Sequence, residues 1–110
     1  MLQDNLGATA LMFAASAGHS GAIKTLIERG ADVAAKDNLG ATALMYAAQK
    51  GHSEAIKALI DSGAAVTAKD NLGATALMGA AQKGHSEAIK ALVKHGANVN
   101  ATNNNGGTAL

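Results

Sequence analysis

Apolar and polar positions along the chain fall into short bursts of helical period, each closed by a glycine. From Thr42 onward, Leu44, Ala47 and Ala48 follow the i, i+3, i+4 spacing of one helix face. Thr42 suits the N-cap, and Gly51 suits the stop because glycine accepts the left-handed backbone of a helix terminus. The spacing predicts a first helix running to about Lys50. In the next burst, Ala55, Ile56, Leu59 and Ile60 predict the buried stripe of a second helix. Ser53 is its expected cap, Glu54 suits its positive end, and Gly63 ends it. Glu54 and Lys57 stand i, i+3 on the wet side. From Val66 to Gly73 the Asp70-Asn71 pair and the glycine read as a turn. Isolated helices shorter than about 12–15 residues are marginal in water, so neither helix stands alone. Each pair must bury its face on its neighbours, which calls for a linear stack.

The pattern recurs. Asp4, Asp37 and Asp70 stand 33 residues apart, and each opens the string Asp-Asn-Leu-Gly-Ala-Thr-Ala-Leu-Met. Asn103 opens a fourth copy that reaches Thr108-Ala109-Leu110. Gly18-His19-Ser20, Gly51-His52-Ser53 and Gly84-His85-Ser86 keep the same interval, as do Gly30-Ala31, Gly63-Ala64 and Gly96-Ala97. The second and third copies differ at only 7 of 33 positions, among them Tyr46/Gly79, Ile60/Val93 and Ser62/His95. The expected division is a single domain over 1–110, with units 4–36, 37–69 and 70–102 and a partial fourth unit at 103–110.

A period of 33 residues with Gly40, Thr42, Leu44, Ala47, Ala48, Gly51, His52, Leu59, Gly63, Ala64 and Val66 in register resembles the ankyrin repeat. The resemblance runs from Asp4 to Leu110. It implies an all-α solenoid of helix-turn-helix units joined by β-turn or hairpin loops. It also implies a non-catalytic module that binds a protein partner through turn tips and the exposed face of the first helices. Two departures bear on this expectation. The family's Thr-Pro-Leu-His reads Thr-Ala-Leu-Met at Thr9–Met12, Thr42–Met45 and Thr75–Met78. Methionine is a flexible apolar filler, so the hydrogen-bond network the family builds through that histidine is expected to give way to packing. The ends also lack the family's polar capping units, and bare ends favour self-association. The near-identity of the units resembles a designed or consensus-derived ankyrin protein. The alternatives are a fragment of a natural array that recruits a partner, and a structural protein that stacks through uncapped ends.

Composition narrows the function classes. Apolar residues make up 48% but aromatics only 2%, so thin, closely spaced helix layers are favoured over a thick core. The net charge of +1 is mixed in sign, with no basic stripe and almost no stacking aromatic, which speaks against nucleic-acid binding. The chain has no cysteine and no apolar run of membrane-spanning length. Its first residues, Met1-Leu2-Gln3-Asp4, carry no signal-peptide pattern, so a cytoplasmic or recombinant protein is expected.

Candidate chemistry is sparse. His19, His52 and His85 recur once per unit, but neighbouring helix layers lie about 8–10 Å apart, and zinc needs its ligand atoms within about 2.1 Å of one centre. The expected role is a loop histidine bonding backbone between the two helices. His95 sits near a helix C-terminus, where positive charge is favourable. The repeated aspartates are expected to hold turns through backbone amides. Asn100-Ala101-Thr102 matches a glycosylation sequon, which without a secretory signal is read as coincidence. No catalytic residue, metal site or cofactor is expected. The expected partner-binding residues are the tip leucines Leu6, Leu39 and Leu72 and the first-helix positions Phe13, Tyr46, Gln49, Lys50, Gly79, Gln82 and Lys83. Exposed, the leucines would make an apolar ridge; the more ordinary outcome is each leucine folding back on its neighbouring turn. Tyr46 would overhang a hollow at Gly79, unless that variation is a local packing choice.

Overall fold

The computed structural model describes residues 9–109. Among these the regular elements are six helices: α1 (Ala10–Ala17), α2 (Ser20–Glu28), α3 (Ala43–Gln49), α4 (Ser53–Asp61), α5 (Ala76–Gln82) and α6 (Ser86–Lys94). They form three antiparallel pairs. The inner helices α1, α3 and α5 stack on one another, and the outer helices α2, α4 and α6 form a second layer. Three pairs make a short stack of 36 × 27 × 20 Å.

Local chemistry sets the helix ends. Thr9, Thr42 and Thr75 cap the inner helices, each Oγ1 accepting from the amide three residues on at 3.3–3.4 Å. Gly51 ends α3 at φ +74, its N–H donating to the Ala48 carbonyl and that of His52 to the Ala47 carbonyl. These two bonds satisfy carbonyls that the helix end would otherwise orphan. Gly63 ends α4 in the same way, with its own N–H on Ile60 and that of Ala64 on Leu59. The expected cap Ser53 is instead the first residue of α4; His52 holds the N-cap place and makes no side-chain cap bond. The connection is too short for a serine cap, because His52 both closes α3 and opens α4.

The core is built between pairs. Leu44, Ala47 and Ala48 are buried on α3, as are Ala55, Ile56, Ala58 and Leu59 on α4. The expected stripe is thus shifted: Ala58 joins it and Ile60 is only half-buried at its edge. The first pair explains the shift. Ala22 and Thr25, the counterparts of Ala55 and Ala58, are exposed, so these positions form the face that an outer helix lays on the preceding pair. Alanine there lets the helices approach closely. Met12 and Met78 are buried and Met45 is half-buried, which fits the expected packing role.

Hydrogen bonds between pairs are not lost with the family's histidine; they lie elsewhere. His52 Nε2 is 3.0 Å from the Ser16 carbonyl oxygen and His85 Nε2 is 2.9 Å from that of Gln49. Lys36 Nζ donates to the Lys69 carbonyl and Lys69 Nζ to that of Thr102. His52 and His85 therefore link consecutive pairs rather than bracing one loop. Among the described residues no buried side-chain nitrogen or oxygen lacks a partner.

Candidate partner-binding surface

Each tip is a tight turn built by its aspartate. Asp37 Oδ1 accepts from Leu39 N–H and Ala41 N–H, both at 2.9 Å, and Asp70 Oδ1 does the same for Leu72 and Ala74. Asn103 plays this part in the last turn, for Asn105 and Gly107. Asp4 lies outside the described residues. The tips are also tied to one another: Asn71 N–H donates to the Leu39 carbonyl at 3.0 Å and Asn104 N–H to that of Leu72 at 2.8 Å. Asn71 Nδ2 and Asn104 Nδ2 add bonds to the Asn38 and Asn71 carbonyls.

This ladder decides where the tip leucines go. Both main-chain groups of Leu39 and of Leu72 are engaged, one with the turn aspartate and one with the next tip. Their side chains project, and Leu39 is 59% and Leu72 71% exposed. The expectation that they fold back is therefore corrected: the space beside each tip is filled by the next tip's asparagine. Leu6 lies outside the described residues.

Leu39, Tyr46, Gln49, Leu72, Gly79 and Gln82 line one groove of about 330 Å³ between the tips and the inner helices α3 and α5. Phe13, Lys50 and Lys83 are exposed but do not line it. The groove also includes Met45, Met78, Thr75 and Asp70, which the repeat pattern did not single out. Their identity across copies marked them as structural, and only the fold reveals that they share a wall with the variable positions. Tyr46 leans toward its own tip, its hydroxyl donating to Asp37 Oδ2. That bond was not visible in the sequence either, because the nine-residue interval between the two matches no helix or strand period.

Among the described residues no three His, Asp or Glu side chains cluster as ligands. His95 Nδ1 is 2.7 Å from the Ala91 carbonyl oxygen at the end of α6, the place that Ser62 Oγ fills on Ala58 in α4. No helix among the described residues is long and apolar enough to cross a membrane.

A stack of helix pairs with tied turn tips and a groove along its inner helices defines a repeat solenoid, the class that offers extended surfaces to partners. The family model described as ankyrin repeats in three copies matches residues 1–70, and that of the single ankyrin repeat matches residues 72–104. The chain belongs to the ankyrin-repeat family. A search of curated proteins gives no match. Ankyrin repeats are in general non-catalytic protein-interaction modules.

Proposed function

We propose that this chain is a non-catalytic protein-binding scaffold, with units 4–36, 37–69 and 70–102 and a partial unit at 103–110. Its binding surface comprises the tips at Leu39 and Leu72 with Tyr46, Gln49, Gly79 and Gln82. Phe13, Lys50 and Lys83 extend it at the margins, and Leu6 is counted with it on sequence grounds alone, as the first copy's counterpart of Leu39. The observation that carries this reading is the exposure of two tip leucines on the same groove as Tyr46 and Gly79. A convergent apolar surface with a few polar groups is the usual form of a recognition site. The sameness of the tips in the complete copies supports an engineered or consensus-like origin, since a surface adapted to one partner would be diversified.

The test is selection of binders from a random peptide library on the whole chain, followed by comparison of variants. Binders are expected to lose Leu39→Ser/Leu72→Ser and to keep Lys57→Ser, which alters the exposed side of α4. Binders that ignore both leucines and depend on Lys57 would overturn the reading.

A further inference from the structure

The third helix pair repeats the second with one part missing. In the second pair, Asp37 holds its turn through Oδ1 and receives the Tyr46 hydroxyl on Oδ2. Asp37 is thereby buried, at 6% exposure. In the third pair Asp70 holds its turn through the same two bonds, but the residue in Tyr46's place is Gly79. Among the described residues no side chain donates to the other Asp70 oxygen, and Asp70 is half-buried rather than buried. The space the tyrosine would fill is open. The nearest atoms that a Cβ on Gly79 would meet across the stack are those of Gln49, at 3.7 Å and beyond. Asp70 and Gly79 both line the groove, together with Tyr46, Leu72, Met78 and Thr75.

We propose that this slot takes a tyrosine side chain from the partner protein, its ring lying where position 79 has none and its hydroxyl donating to the free oxygen of Asp70. The proposal rests on reading the groove as the partner-binding surface. It is favoured over an aliphatic guest by the acceptor at the slot's end. It is favoured over a cation by the walls, which offer Leu72, Met78 and the Tyr46 ring to an aromatic face. The protein also supplies its own template, since Tyr46 on Asp37 is the same pairing made within the chain. Tyrosine carries large contact area with few torsions to freeze, which suits it to such a slot.

The test uses p-cresol as the phenol probe, titrated into the isotope-labelled whole chain and followed by NMR. Saturable shifts are expected at the amides of Asp70, Leu72 and Gly79. Toluene, which lacks the hydroxyl, is expected to bind about tenfold more weakly, the worth of a hydrogen bond to a charged group. Asp70→Asn should weaken p-cresol by a similar factor. That variant keeps its turn, because Asn103 makes both backbone bonds in the last copy with an amide oxygen. Gly79→Tyr should fill the slot from within and abolish binding. The absence of saturable shifts at these amides, or p-cresol binding unchanged in Asp70→Asn and Gly79→Tyr, overturns the proposal. So does tighter binding by n-butylguanidinium, which would make the slot a cation site. If selected peptides need the tip leucines while p-cresol ignores the slot, the slot fails and the broader surface stands.

Discussion

The His52 ring lies across Gly18, with its Nε2 3.0 Å from the Ser16 carbonyl oxygen, in a bond that spans 36 residues. A carbonyl can only accept, so Nε2 carries the hydrogen. The His85 ring repeats the arrangement over Gly51. A Cβ would lie 2.7 Å from His52 Nδ1 at Gly18 and 2.6 Å from His85 Nδ1 at Gly51. Each glycine is thus required twice, by its positive φ and by the ring of the next pair. Gly84 has the positive φ, +73, but nothing within 4 Å of where a Cβ would stand.

This contrast separates backbone strain from packing. Gly51→Ala and Gly84→Ala both force a left-handed residue, at a cost of about 1–2 kcal/mol. Only Gly51→Ala must also displace His85, with loss of about 1 kcal/mol more for its hydrogen bond. Urea unfolding of the two variants should therefore show the larger loss at Gly51. Equal losses would mean that the ring moves aside without cost and that the histidine ladder adds nothing.

Tyr46→Phe should destabilise the chain although the ring stays. The Asp37 carboxylate is buried, and without the hydroxyl its Oδ2 loses a donor. A hydrogen bond to a charged group contributes about 1.5–3 kcal/mol. The loss should lie toward the lower figure because the groove admits water to the vacated place. Urea midpoints with an unchanged m-value are the measure. A midpoint equal to that of the parent would show that Asp37 needs only its two backbone bonds.

The helices were legible in the sequence because their signals are local. Thr42, Gly51 and Gly63 act within a turn of their own position, and the identical strings reveal the stack. The serine cap misled because Ser53 fits the cap pattern, while the short connection Lys50-Gly51-His52 that excludes it is a property of the assembled pair. Leu39 and Leu72 misled in the opposite direction. Their exposure follows from asparagines of the next copy, Asn71 and Asn104, occupying the tip ladder, an effect beyond any local window. The groove shares this origin. Tyr46 and Gly79 stood out as variable, but Asp70 and Met78, identical to their counterparts, gave no reason to be counted with them.

Gly79→Ala should stabilise the protein. Gly79 lies inside α5 with ordinary helical backbone, and an added Cβ makes only van der Waals contact with Gln49. Removing glycine's excess freedom in a helix is worth about 0.5–1 kcal/mol. Thermal and urea unfolding should both rise. A loss instead would show that the open space beside Gln49 is needed for the packing of α3 on α5.

The helix starts give the last contrast. Thr75→Ala removes a buried cap whose Oγ1 accepts from Met78 N–H, and loss of such a cap costs about 1–2 kcal/mol. Ser86 has the right residue type in the right place on sequence grounds, yet it lies inside α6 behind His85 and makes no cap bond. Ser86→Ala should therefore change stability by no more than about 0.5 kcal/mol, the usual range for surface sites. If Ser86→Ala proved as costly as Thr75→Ala, the serine would be capping α6 after all. The outer helix would then begin one residue later, at Glu87.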